Sequence, residues 1–240
     1  MEARAITIQV NRHSALKKLL YCCLSAELFI VLADIFLNYF EWIPFRPLRR
    51  TFNITREDAI GNWFSSTQTL CVGIVLWTLF ALDRNDKKKW GWAVLASFFT
   101  FMAFDDASKF HERAGSSFKA LAPSLAWVEA LVEQYPSYTW QILVGPFFAV
   151  MGLCIVWFIW KELDTPRYRL WLGAALACLV VAVGLDAIEG MDLPSLSSYP
   201  VRHFLKLVEE LLEMLGNTLF LLTFSSVLLH HTQEVAIDLT

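Results

Sequence analysis

The sequence predicts an all-α integral membrane protein, a bundle of six transmembrane helices with a polar, carboxylate-rich interior near one face. Of its 240 residues, 56% are hydrophobic, and the mean hydropathy is +0.47. Several apolar runs approach the roughly 20 residues that a helix needs to cross a bilayer. Ten carboxylates nevertheless lie inside or at the rims of these runs. An ionised carboxylate in hydrocarbon costs at least about 2.5 kcal/mol, so each should face a cavity, a partner or an ion.

The apolar runs define the domain organisation. We place the spans at about 19–40, 59–82, 90–111, 140–160, 169–189 and 203–229. A polar N-terminal segment, 1–18, precedes a single domain, 19–231, and a C-terminal tail, 232–240, follows it. Between the third and fourth spans the chain is too polar to cross, and its apolar part, 125–132, is expected to lie on the membrane surface.

Lysine and arginine are unevenly distributed between the two sets of loops. Six spans put both termini on one side, and that side holds the larger share of basic residues. The positive-inside rule therefore predicts that both termini are cytoplasmic, and we expect a bacterial inner membrane. The bilayer is the expected partner, and the lack of a basic stripe excludes nucleic acid. Small residues of the fifth span, including Gly173 and Gly184, are expected to permit close helix packing.

Ionisable residues from three distant segments are predicted to meet at one face of the membrane. The third and fifth spans end, and the sixth begins, at the same face, which the charge distribution makes the outer one. Helical periodicity then gathers polar side chains into stripes. On the sixth span the stripe consists of His203, Lys206, Glu210, Glu213 and Asn217. On the third span Asp105, Ser108, His111 and Glu112 are predicted to share one face of a continuous helix.

Carboxylates this close together cannot all stay ionised, so they must take up protons, pair with bases or bind cations. We favour a divalent metal, with ligands His111, Glu112, Glu189, Glu210 and Glu213. Asp105 and Asp186 would orient these ligands or act as general bases. Further candidates are Asp106, His203, Glu209, Glu27 and Asp34. The alternative for some of them is an ion pair at the headgroup boundary, such as Lys206 with Glu209.

The ligand set does not identify the metal. Carboxylates with two histidines are typical of dinuclear iron or manganese sites in helical bundles. Zinc is the third candidate, although it usually takes more His or Cys ligands. An all-oxygen magnesium or calcium site would use the same carboxylates.

Three motifs carry a family resemblance. They are Phe104-Asp-Asp-Ala-Ser-Lys-Phe-His-Glu112, Gly184-Leu-Asp-Ala-Ile-Glu-Gly190 and Val208-Glu-Glu-Leu-Leu-Glu-Met-Leu-Gly216. As a set they resemble bacterial multi-pass membrane proteins of unassigned function, in which the acidic pair usually ends in Glu where this chain has Asp106. That resemblance implies a shared polar site and no particular activity. A weaker one, to membrane ceramidase-type hydrolases, implies a metal site built from Asp105, Ser108, His111 and His203, with one histidine fewer than those enzymes use.

Three functions are consistent with the pattern. The first is a metal-dependent membrane enzyme that acts on a lipid or small amphiphile at the outer leaflet. The second is a proton or cation transporter or channel, in which Glu27 and Asp34 continue the outer cluster inward. The third is an accessory subunit of a larger membrane complex, or a homo-oligomer, with the 19 Phe and 10 Trp residues supplying its interface.

Overall fold

The computed structural model describes residues 11–83, 85–120, 129, 139–163, 165–189 and 198–232, and within them the chain forms helices and connecting turns. The helices are α1 (Arg12–Asp34, continued by a π-helical turn, Ile35–Tyr39), α2 (Arg46–Phe52), α3 (Ile60–Leu82), α4 (Asp86–Ser108), α5 (Phe110–Ala120), α6 (Thr139–Glu162), α7 (Pro166–Glu189) and α8 (Tyr199–Thr232). The all-α prediction is confirmed. Four helical segments are long and apolar enough to cross a membrane: Arg12–Tyr39, Ile60–Leu82, Pro166–Ile188 and Tyr199–Thr232. Helices α4 and α6 occupy the other two predicted spans.

The predicted third span is wrong in one respect, because its helix does not continue to residue 111. Helix α4 ends at Ser108, and Lys109 adopts a left-handed backbone conformation with φ of 56°. Few residues other than glycine take this conformation, and it redirects the chain into α5. The Lys109 ammonium forms an ion pair with Glu57, which holds the corner in place. His111 and Glu112 therefore lie on α5 and do not share a helix face with Asp105.

Helix α1 begins earlier than the predicted position 19. Asn11 is its N-cap, and the Asn11 side chain accepts a hydrogen bond from the Ser14 backbone N–H at 3.1 Å. Such a cap satisfies one of the free amides at a helix start. The predicted surface segment, 125–132, lies outside the described residues except for Glu129.

Helix α8 is the centre of the fold. It packs against α1, α3 and α7, and α4 packs mainly against α3. The apolar window of α8 is 61% buried inside the protein, compared with 44% or less for the other three apolar helices. Side chains of α8 can therefore contact several helices at once more readily than side chains of the other helices.

Contacts between helix ends define two ends of the bundle. At one end the Arg12 guanidinium donates to the Tyr168 hydroxyl, and the Lys88 ammonium pairs with Glu162 at 2.7 Å. We call this the basic end; it holds the starts of α1, α4 and α7. The opposite, acidic end holds the starts of α3 and α8 and the ends of α1, α4 and α7.

The half of the bundle next to the basic end has an apolar core. Leu76, Leu79 and Phe224 are almost completely buried there. The Phe99 ring packs edge-on against Phe220 and Phe224, with centroid distances of 5.2 and 5.9 Å. The described core residues of this half form no continuous polar path along the bundle.

Two glycines mark close contacts between helices. A Cβ atom added to Gly73 of α3 would lie 2.8 Å from Thr100 Oγ1 on α4, and one added to Gly216 of α8 would lie 3.3 Å from the Ala175 carbonyl oxygen. By contrast, Gly173 and Gly184 have no such neighbour within 4 Å among the described residues. The predicted close packing is therefore not seen at these two glycines within the described part of the chain.

We expect Gly73→Ala to lower the free energy of unfolding by about 1–3 kcal/mol, the usual cost of overpacking. The Thr100 hydroxyl cannot swing aside freely, because it donates to the Ala96 carbonyl and accepts from the Trp77 indole. Thermal unfolding in detergent measures the change. Gly173→Ala is the matched control and should be neutral or slightly stabilising. Equal destabilisation by both substitutions would contradict the close α3–α4 contact.

Candidate functional site

A buried carboxylate joins three helices near the middle of the bundle. Glu27 of α1 is 1% exposed. Its Oε1 accepts a hydrogen bond from Thr218 Oγ1 of α8 at 2.5 Å and another from Gln68 Nε2 of α3 at 3.0 Å. Gln68 Nε2 also donates to Thr218 Oγ1 at 2.8 Å. The three side chains thus form a closed ring of hydrogen bonds, which we call the Glu27 ring.

The Glu27 ring leaves two buried oxygens unused. Glu27 Oε2 and Gln68 Oε1 have no hydrogen-bond partner within the described residues. A buried polar atom of this kind costs about 1–3 kcal/mol unless a proton, a water molecule or an ion satisfies it. No lysine or arginine of the described chain makes an ion pair with Glu27.

A second buried carboxylate lies closer to the acidic end. Asp34 Oδ2 is 2.7 Å from His203 Nε2 of α8, and both side chains are almost inaccessible to solvent. Asp34 Oδ1 accepts from Asn38 Nδ2 at 3.2 Å and from the Ile54 backbone N–H at 3.1 Å. The π-helical turn begins immediately after Asp34, and such turns often occur at functional sites. Asp34 therefore ties α1, the α2–α3 connection and α8 together.

The histidine of this pair keeps one free ring nitrogen. His203 Nδ1 has no hydrogen-bond partner among the described residues. The rings of Tyr39 and Tyr199 lie beside the imidazole, with centroid distances of 6.4 and 5.6 Å.

A lysine sits among the carboxylates of α8. Lys206 Nζ lies 2.5 Å from Glu209 Oε1 and 3.4 Å from Glu210 Oε1. The next turn adds Glu213, which is within electrostatic range of Lys206 and Glu210. We call these four residues the α8 cluster. The predicted Lys206–Glu209 ion pair is present, but Glu209 is buried, so the pair is part of the interior.

Helix α4 contributes one carboxylate to the same region. Asp106 accepts a hydrogen bond from the Ser66 hydroxyl of α3 and lies within electrostatic range of Glu210 and Glu213. Asp105 is buried on α4, and Asp186 is partly buried on α7. The acidic ends of α4 and α8 thus bring their carboxylates together, with Lys206 as the nearby cation.

Three of the five predicted metal ligands cannot be compared with this geometry. The side chains of His111, Glu112 and Glu189 lie outside the described part of the structure. Within the described part, no group of three or more His, Cys, Asp and Glu side chains is arranged to hold a metal ion. Metal binding stays a prediction.

The sequence analysis missed the two partners of Glu27. Gln68 and Thr218 are uncharged, so an inventory of ionisable groups omits them. Both are nevertheless buried polar residues, and Thr218 directly follows Asn217 of the predicted stripe. Asn217 Nδ2 itself donates to Ser65 Oγ at 3.1 Å, which continues the polar contacts between α8 and α3. A search for uncharged polar residues at the depth of Glu27 would have identified them.

Comparison with known families gives one match. Residues 22–228 match the family described as a domain of unknown function, DUF8692, and the chain belongs to this family. No curated protein and no solved structure matches the chain. The resemblances to ceramidase-type hydrolases and to the acidic-motif membrane proteins stay predictions.

Breaking the Asp34–His203 pair should destabilise the fold strongly. We expect Asp34→Ala and His203→Ala each to lower the free energy of unfolding by about 3–5 kcal/mol, because each leaves a buried polar partner unsatisfied. The double variant should lose less than the sum of the two single losses. Chemical denaturation in mild detergent measures all three values.

The control for this cycle is Glu41→Ala. Glu41 pairs with Arg49 at 2.7 Å, but its side chain is 64% exposed, and exposed pairs contribute about 0–1 kcal/mol. Strictly additive losses in the Asp34–His203 cycle would show that the two side chains do not interact.

Proposed function

We propose that the chain is a multi-pass membrane protein that binds and transfers protons, with Glu27 as the innermost proton-accepting group. The supporting observation is the Glu27 ring. Its carboxyl group is 1% exposed, is held by Gln68 and Thr218, and has no cationic partner within the described residues. An intramembrane carboxyl group of this kind is typical of proton relays.

The α8 cluster supplies a route to Glu27 from the acidic end. Glu210, Glu213 and Asn217 follow one another at helical spacing along α8, and Lys206 lies one turn before Glu210 as a fixed cation. Residues three or four positions apart have Cβ atoms about 5–6 Å apart, so one bridging water molecule is enough for each transfer. Thr218, beside Asn217, then reaches Glu27. In the proposal, protons enter near Asp106 and travel along this stripe.

The apolar half of the bundle restricts the kind of proton transport that the proposal allows. Between the Glu27 ring and the basic end, the helices are joined by Leu76, Leu79, Phe99 and Phe224. A continuous water-filled channel is inconsistent with this packing. In the proposal, Glu27 exchanges protons with the acidic side, and release at the basic side requires these helices to separate.

The proposal includes the six-span architecture. Helices α4 and α6 add to the four apolar segments, and the acidic end faces the outer side of a bacterial inner membrane, with both termini cytoplasmic. The contact of Arg12 with Ser226 and His230 supports a common side for the two chain ends. Protein partners, a homo-oligomeric state and a lipid or amphiphile substrate stay predictions.

A metal-dependent enzyme is the second candidate. The mutual proximity of Asp106, Glu210 and Glu213 favours it, and iron, manganese and zinc are the candidate metals. The Lys206 ammonium weighs against it, because a resident cation already neutralises Glu209 and Glu210 and would repel a divalent ion at the same place.

We expect proton uptake into liposomes that contain the protein to depend on Glu27. With a potassium diffusion potential as the driving force and a pH-sensitive dye inside, Glu27→Gln should reduce uptake to the level of empty liposomes. The amide keeps the size and the hydrogen-bonding capacity of the carboxyl group but cannot exchange a proton. Glu213→Gln should slow uptake as well.

Glu41→Gln is the matched control, because Glu41 is an exposed carboxylate at the same end of the bundle. Its uptake should equal that of the unchanged chain. Uptake by Glu27→Gln at the unchanged rate, in a protein that elutes as one folded species, would disprove the proposed role of Glu27.

Metal analysis by mass spectrometry on detergent-purified protein separates the two candidates. The proton proposal expects less than one equivalent of iron, manganese or zinc, and no difference between the unchanged chain, Glu210→Ala and His111→Ala. One or two equivalents that are lost in both variants would establish the metal-dependent alternative instead.

A further inference from the structure

A crevice opens between α1 and α7 at the basic end, and none of its described lining residues belongs to the Glu27 ring. Both helices pack against α8 but make few contacts with each other. The space between them has a volume of about 750 Å³, and Leu222 of α8 forms part of its floor. Cavities of about 300–1,000 Å³ are typical of small-molecule sites. The crevice is therefore large enough for a ligand of substantial size.

The mouth of the crevice is strongly basic. Arg12 and Lys17 of α1 and Arg167 of α7 all line it. Among the described residues that line it, none is acidic, so these charges have no carboxylate to neutralise them there. Lys17 and Arg167 make no hydrogen bond or ion pair within the described chain; the Arg167 guanidinium only stacks on the Trp171 ring at 4.6 Å. Both side chains are exposed and able to reach an anion.

The walls below the mouth are apolar. Leu16 and Leu20 continue the α1 wall one and two turns further into the apolar part of the helix, and Trp171 does the same on α7. A tryptophan at such a boundary is typical of the interface between headgroups and hydrocarbon. The crevice therefore offers positive charge at its mouth and hydrocarbon-like surface beneath, which matches an amphiphile with an anionic head.

We propose that this crevice binds one anionic phospholipid, with the phosphodiester headgroup near Arg12, Lys17 and Arg167 and an acyl chain against Leu16 and Leu20. Charge complementarity selects this occupant. A cytoplasmic leaflet is rich in anionic lipid, and basic pockets between helices on that side bind anionic headgroups. The proposal requires that α1 and α7 cross a membrane. It does not depend on proton transfer by Glu27.

The experiment is a lipid titration of the full-length, detergent-purified chain, with native mass spectrometry to count bound molecules. Phosphatidylglycerol and phosphatidylcholine with identical acyl chains are compared. We expect one tightly held phosphatidylglycerol, with a Kd at least about tenfold lower than that for phosphatidylcholine. Equal binding of the two lipids would overturn the proposal.

The variant that tests the site is Lys17→Gln with Arg167→Gln, because neither side chain supports the fold by a hydrogen bond. The Kd for phosphatidylglycerol should rise about thirtyfold, which corresponds to about 1 kcal/mol for each basic residue at a membrane surface. Lys89→Gln with Lys161→Gln is the matched control. These two lysines lie at the same end, outside the crevice, and also stack on aromatic rings. An equal rise in both double variants would overturn the proposal.

Two further binding experiments identify the molecule that occupies the crevice. Inorganic phosphate alone should neither bind stoichiometrically nor displace phosphatidylglycerol at constant ionic strength, because it lacks the acyl chain. Displacement by phosphate would mean a free-anion site and would overturn the lipid assignment.

A chain that ends at Thr232 should bind phosphatidylglycerol as the full chain does. Binding by the shortened chain alone would mean that the acidic C-terminal segment occupies the crevice instead.

Discussion

The structure depends on the requirement that a buried carboxylate find its hydrogen-bond partners inside the protein. In a bilayer core no water is available, and an unsatisfied polar group costs several kcal/mol. Glu27 meets this requirement through Thr218 on α8 and Gln68 on α3. Because these partners come from different helices, the hydrogen bonds also fix how the helices pack. Asp34 acts in the same way closer to the acidic end, where it binds His203 and the Ile54 backbone amide.

These contacts divide the bundle into two unlike halves. From the Glu27 ring to the acidic end, α8 presents carboxylates, a lysine and an amide to its neighbours. From the ring to the basic end, α8 presents Phe220, Phe224 and Val227 to an apolar core. The hydroxyl groups in this second half, Thr223 and Ser226, donate to carbonyls of their own helix and need no partner elsewhere. Helix α8 therefore lines the polar half of the bundle and also packs into the apolar core that closes the other half.

Much of this arrangement was predictable, and the parts that were not have physical reasons. Hydropathy located the helices, and the alternating direction of successive spans placed the ends of α4 and α7 beside the start of α8. Hydropathy cannot detect a single left-handed residue, so the corner at Lys109 was missed. It also placed the start of α1 too late. With the true start at Arg12, Glu27 lies about four turns from the basic end, as do Gln68 and Thr218 on their helices. Three polar residues at the same depth on different helices would have predicted the Glu27 ring.

The position of Lys206 bears on whether the carboxylates of the acidic end bind a metal ion. A set of carboxylates alone would attract a divalent cation, which is the basis of the predicted metal site. In the structure an ammonium group already lies 2.5 Å from Glu209 and 3.4 Å from Glu210. Asp106, Glu210 and Glu213 lie within electrostatic range of one another, at the start of the proposed proton route. Carboxylates this close repel one another, and a shared proton relieves that repulsion. The positive charge of Lys206 repels a divalent metal, which supports the proposal of proton transfer over that of metal chemistry.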